Sequence, residues 1–216
     1  MDKLFYNTTS PLLLSTLTQL MSEPLFNPFR LVGGTALSLQ LGHRISVDID
    51  LFTDADYNSL DFNLFEKYLS ENFSYYYSTS NGPVAFGKTY FIGPNENDTI
   101  KLDLFYTDNF IENYILNNGI RLATIREIMA MKMDVISRGG RKKDFWDVHE
   151  LMEDITLPEL IQLHQKRHPF TYNSAHLIEK LTDFSHADED FEPICLKGKH
   201  WEIIKLDLLE FVQNSK

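Results

Sequence analysis

The sequence predicts an α+β fold, with a mixed β-sheet and flanking helices in the first half and a helical bundle in the second. Three observations predict it. Short runs rich in aromatic and β-branched residues fill the chain up to about Arg121. Beyond that point apolar residues recur every three or four positions. Gly, Pro and Asn cluster where segments must end: Asn27-Pro28, Gly33-Gly34, Asn81-Gly82-Pro83, Gly93-Pro94-Asn95 and Gly139-Gly140. The expected division is therefore a sheet-bearing domain over residues 1–120 and a helical domain over 121–216, with a cleft between them as the default site.

Strands are expected at Phe29–Val32, Val47–Thr53, Phe73–Tyr77, Val84–Ile92 and Thr99–Tyr106. Two helices interrupt them. Thr35–Leu41 follows a candidate Thr cap, and Asp61–Asn72 sets Phe62, Phe65, Tyr68 and Leu69 at helical spacing. After Arg121, Ile125, Ile128, Met129, Lys132, Met133 and Ile136 mark a helix that Gly139-Gly140 stops. Further helices are expected at Lys142–Met152, Pro158–Arg167, Ser174–Leu181 and Trp201–Val212.

Composition narrows the function. The 216 residues are 43% hydrophobic and 13% aromatic, enough for a large core, which excludes disorder as the default. The single Cys195 forms no intrachain disulfide and asks for no oxidising compartment. No run approaches the roughly 18 apolar residues of a membrane helix, and no cleavage site follows Pro11–Leu14, so a cytoplasmic protein is expected. A formal net charge of −11 argues against a broad, sequence-blind grip on nucleic acid.

The stretch from Arg30 to Phe52 carries the chemistry. A short strand ends in Gly33-Gly34-Thr35, a helix follows, and the next strand bears Asp48-Ile49-Asp50-Leu51. Residues two apart on a strand share a face, so Asp48 and Asp50 lie together, opposite Val47, Ile49 and Leu51. Adjacent carboxylates repel unless a cation neutralises them, and Mg²⁺ prefers such oxygens. Asp103 sits between Leu102 and Leu104 in the same pattern; if its strand lies beside the first, three carboxylates converge as a two-metal phosphoryl-transfer site requires. Glycines at Gly33 and Gly34 admit a phosphate to the backbone, and the helix N-terminus offers it free N–H groups.

These residues resemble the polymerase-β-type nucleotidyltransferase fold. Gly33-Gly34-Thr35-Ala36-Leu37, then His43-Arg44-Ile45-Ser46-Val47-Asp48-Ile49-Asp50-Leu51-Phe52, then Glu127–Lys132 and Arg141-Lys142-Lys143-Asp144-Phe145-Trp146-Asp147, are similar to its AbiEii/AbiGii toxin branch. The resemblance implies a Mg²⁺-dependent enzyme, with two ions and Mn²⁺ as substitute, that moves NMP from NTP to an acceptor such as tRNA. It further implies a toxin of a toxin–antitoxin or phage-defence system, held by a cognate antitoxin. Asp48, Asp50 and Asp103 would hold the metals, and Asp103 would help activate the acceptor hydroxyl. Gly34, Thr35, Arg44 and Ser46 would contact the triphosphate, Lys132 would reach it from the helical domain, which closes the nucleotide cleft, and Asp144 would orient the nucleotide-binding elements. Arg138, Arg141, Lys142 and Lys143 form a basic cluster for a triphosphate or an acceptor backbone.

Plainer readings compete. Asp48 and Asp50 could be solvent-facing carboxylates, Lys132 the partner of Glu127 or Asp144, and Asp144 and Asp147 the acids that open a helix. His164 and His168 lack a zinc-protease Glu and read as packing residues. Two other functions would use the same residues: a DxD glycosyltransferase, or a nucleotide-binding module without turnover.

Overall fold

The computed structural model describes residues 3–79, 84–171 and 173–214; the expected turn at Asn81-Gly82-Pro83 lies outside them. They fall into two compact units, residues 3–41 with Ser46–Ala123, and Gly42–Ile45 with residues 124–214.

The first unit holds a seven-stranded mixed sheet: β1 (Arg30–Leu31), β2 (Asp48–Thr53), β3 (Tyr75–Ser78), β4 (Gly87–Asn95), β5 (Asp98–Tyr106), β6 (Ile115–Asn117) and β7 (Ile120–Leu122). The order is β3-β4-β5-β2-β1-β7-β6. β2 runs parallel to β5, and β1 parallel to β7; the other neighbours are antiparallel. Helices α1 (Pro11–Ser22), α2 (Gly33–Leu41) and α3 (Phe62–Asn72) belong to this unit. Ile49, Leu51, Leu102 and Leu104 are fully buried with Leu13, Leu17, Leu20 and Phe65 from the helices, as alternation along β2 and β5 requires. Phe65 packs edge-on against Phe26 and Phe29 at 5.2 and 5.5 Å.

Local chemistry explains the helix starts. Ser10 Oγ accepts from Leu13 N at α1, and Asp61 Oδ1 from Asn63 N at α3. Buried Arg121 ties the chain before β1 to β7 by donating to the carbonyls of Met21, Phe26 and Phe29. Val47, expected on the apolar face, is 65% exposed. The strand begins one residue later, because Ser46 N pairs with Thr8 O before β2 joins the sheet.

The second unit is helical: α4 (Ile125–Ser137), α5 (Lys142–His149), α6 (Leu157–Arg167), α7 (Ser174–Leu181), α8 (Ser185–Asp188) and α9 (Trp201–Asn214). Thr124 caps α4 by accepting from Glu127 N, and Gly139 ends it at φ +91°. Ile128, Met129, Met133 and Ile136 on α4 are fully buried, and α5 packs on α9 through Trp146 and Trp201, stacked at 6.4 Å. Within α4 and α6, Glu127 and Arg167 form a buried ion pair at 2.8 Å. Among the described residues no helix is long and apolar enough to cross a membrane.

Candidate active site

In the sheet unit, β2 and β5 place Asp50 opposite Asp103 and Asp48 opposite Lys101, all on the face away from the buried leucines. The register the Asp-x-Asp strand needed is present. The carboxylates are nevertheless not drawn together: among the described residues no group of three or more His, Cys, Asp or Glu side chains stands where a metal could be held. Like charges keep apart, and Asp103 is turned to other partners. Its Oδ1 accepts from Thr89 Oγ1 at 2.6 Å and its Oδ2 from Lys101 Nζ at 2.5 Å. Burial works against the Lys101 ammonium, but the hydrogen bond and charge of Asp103, with Asp50 and Asp48 behind it, push its pKa above the usual lysine value. A cationic group thus already serves all three carboxylates. Carboxylate oxygens are the hard donors that a divalent ion such as Mg²⁺ takes, so the three side chains suit such an ion by their chemistry although they are not gathered around one point.

Gly33 opens α2 at φ +67°, a backbone few other residues adopt, with Asp50 Oδ2 against its Cα. The helix therefore begins two residues before the expected Thr cap. Thr35 lies inside α2, fully buried, and directs its one hydroxyl proton to the carbonyl of Asp48 at 2.5 Å. Its oxygen stands 2.8 Å from Ser46 Oγ, which donates to it. Both hydroxyls thereby fix the start of β2 instead of lying open to a ligand. Gly34 is partly exposed beside them.

In the helical unit, Asp147 is the centre of a buried network. Its Oδ1 accepts from Arg44 Nε at 2.6 Å and lies 2.8 Å from His43 Nε2; its Oδ2 accepts from the Arg44 guanidinium at 2.8 Å and pairs with Lys132 at 2.8 Å. Lys132 also donates to Asp144 Oδ1 at 2.6 Å, while Asp144 Oδ2 accepts from Arg141 N at the start of α5. Burial alone would raise the Asp147 carboxyl, yet Lys132, Arg44 and His43 hold it well below the usual carboxylate range. Lys132 is raised because Asp147 and Asp144 outweigh its burial. Arg44 and Lys132, expected on phosphate, are thus buried among acids of their own unit.

The basic cluster is likewise matched. Arg138 pairs with Asp134 at 2.5 Å, Arg141 reaches Asp190 through two bonds of 3.0 and 3.1 Å, and Lys142 is buried over the Trp201 ring. Lys143 is partly exposed. The rings of His164 and His168 lie 5.1 Å apart, tilted by 33°, near Asp134, consistent with packing. Lys101, Thr89 and His43 take part without having been assigned a role from the sequence. Lys101 and Thr89 were discoverable from alternation, since each shares the Asp103 face; His43 stood in the family motif, but its partner lies 104 positions away.

The architecture is that of nucleotidyltransferases. A putative nucleotidyltransferase from H. pylori matches at TM-score 0.56 and 19% identity, over 93% of this chain and 92% of that one. MenT4, a nucleotidyltransferase toxin from Mycobacterium tuberculosis H37Rv, matches at 0.55 and 14%, over 88% and 77%. The sequence model of the family described as nucleotidyl transferase AbiEii toxin, type IV toxin–antitoxin system, matches residues 15–214. The chain belongs to that family and is a nucleotidyltransferase of it. An uncharacterized protein of Aquifex aeolicus (strain VF5) is 29% identical over 211 residues, 92% of this chain and 95% of that protein.

Proposed function

We propose that this protein transfers NMP from an NTP to an acceptor hydroxyl, with pyrophosphate as leaving group, and that it acts as a toxin restrained by a cognate antitoxin. The observation that carries the reading is the juxtaposition of Asp50 and Asp103 across β2 and β5 with the Gly33 turn against Asp50. Asp48, Asp50 and Asp103 would hold Mg²⁺ or Mn²⁺, which when bound neutralises charge developing on the phosphoryl oxygens. Gly33 and Gly34 would present the amide end of α2 to the triphosphate, adding no side chain of their own beside Asp50. Asp103, released from Lys101, accepts the proton of the acceptor hydroxyl. Thr35 and Ser46 position Asp48 through its backbone carbonyl, and catalysis comes from placement and charge complementarity.

Incubation with each α-³²P-labelled NTP, Mg²⁺ and total bacterial RNA tests the reading. Label in a tRNA-sized band from the wild type and not from Asp48→Asn/Asp50→Asn is the expected result. Bound nucleotide with no labelled product under any NTP would favour a binding module without turnover.

A further inference from the structure

The sheet face that bears the carboxylates also bears aromatic rings that none of these roles uses. Strand register arranges the face in rows. One row reads Asp50 on β2, Asp103 on β5 and Thr89 on β4; the next, two residues along each strand, reads Arg30, Phe52, Phe105 and Gly87. Two residues of strand separate such rows by about 7 Å. The Phe52 and Phe105 rings lie 5.9 Å apart at 46°, and both are partly exposed, whereas the core of this sheet is on its other face.

Each flank of the pair is fixed by a close contact. On one side Gly87, at φ +148°, has room for no side chain, because a Cβ would fall 2.2 Å from the Leu104 carbonyl oxygen and 2.6 Å from both Cα and Cγ of Phe105. On the other, the Arg30 guanidinium lies 3.6 Å over the Phe110 ring and donates to Glu112 O at 2.8 Å.

We propose that Phe52 and Phe105 form a stacking platform for the nucleobase of a nucleic-acid acceptor's terminal nucleotide, one row from the carboxylates. The proposal rests on the nucleotidyl-transfer reading and adds where the acceptor is gripped. Gly33 packs on Asp50 from the β1 side, which assigns that side to the triphosphate; Phe105 is two residues from Asp103, which takes the acceptor's proton. Stacking also suits a chain of net charge −11, because it holds a base without the phosphate contacts that an acidic surface discourages.

The test uses the full chain with Mg²⁺, a short single-stranded RNA carrying 2-aminopurine at its 3′ end, and a fluorescent NTP analogue titrated in parallel. Wild type should quench the 2-aminopurine with a shallow salt dependence. Phe52→Leu and Phe105→Leu should weaken RNA binding about 5- to 100-fold and remove the quenching, and Phe52→Trp should restore it. Equal quenching by the leucine variants, or RNA bound by wild type without quenching, overturns the platform. NTP bound but no RNA bound overturns it as well and leaves transfer to an acceptor without a base. Failure to bind NTP overturns the transfer reading, and the platform with it.

Discussion

A Cβ placed on Gly33 would stand 2.4 Å from Oδ2 of Asp50, inside any tolerable contact. The position is doubly constrained, since its φ of +67° would also cost a residue with a side chain about 1–2 kcal/mol. Gly33→Ala should therefore lower the melting temperature by about 2–8 °C and push the Asp50 carboxylate off its place. A displacement near 1 Å costs catalysis about 10²-fold. Melting and labelled transfer measured on the same preparation check both effects, and a Gly33→Ala enzyme with wild-type transfer would show that Asp50 need not stand there.

Lys101 acts as a resident counterion to Asp103, Asp50 and Asp48. Removing it with Lys101→Met leaves three carboxylates on one face without that charge. The pair is partly exposed and screened, so the loss of stability in metal-free buffer should be small, about 0.5–1 kcal/mol. The same variant should bind divalent ions more tightly, so Mg²⁺ should raise its melting temperature more than it raises that of the wild type. Identical Mg²⁺ responses in the two proteins would count against the carboxylates sharing a cation.

The alternation that put Asp48, Asp50 and Asp103 on one face was legible because a strand of period two leaves little choice once Ile49, Leu51, Leu102 and Leu104 must be buried. The nucleotidyltransferase fold and the toxin family were legible from short motifs that fall in order between Gly33 and Asp147. Other parts were hidden for physical reasons. The hairpin of β6 and β7 turns at Asn118-Gly119, both at positive φ, a dipeptide signal that the flanking short strands were too brief to reinforce. α1 escaped notice because Ser, Thr and Gln interrupt its leucines, although Leu13, Leu17 and Leu20 keep helical spacing. The pairing of Lys132 with Asp144, twelve positions on, was legible as the plainer reading of that lysine, whereas the contact of Arg44 with Asp147 spans 103 positions of chain.

Asp147 should leave a signature in acid. Burial opposes its charge, but Lys132, Arg44 and His43 hold its carboxyl well below the usual range in the folded protein. A carboxylate with a depressed folded pKa stabilises fully above its unfolded value of about 3.9 and loses that contribution as pH falls toward the folded value. Asp147→Asn removes the carboxylate charge that faces buried Arg44 and one of the two that face Lys132, and breaking such a buried pair costs about 3–5 kcal/mol. Urea denaturation across the range from neutral to acid should thus show a less stable variant whose profile is flatter than the wild type's below about pH 4. Parallel profiles would mean that the network adds nothing to the acid limb.

A nucleotidyltransferase of a toxin family should damage its host through the reaction itself, not through mere abundance of protein. Asp50→Asn separates the two, because it removes one negative charge while keeping the shape that packs against Gly33. Loss of a single group that stabilises developing charge typically costs about 10²–10³ in rate. Induced expression of the wild type should therefore slow bacterial growth, Asp50→Asn at equal abundance should not, and co-expression of a neighbouring antitoxin frame should restore growth to the wild type. The carboxyl-to-amide change also lowers like-charge repulsion with Asp48 and Asp103, so the variant should melt no lower than the wild type. Growth arrest by the Asp50→Asn protein would place toxicity elsewhere than in nucleotidyl transfer, and unimpaired growth with verified wild-type expression would remove the toxin role from this chain.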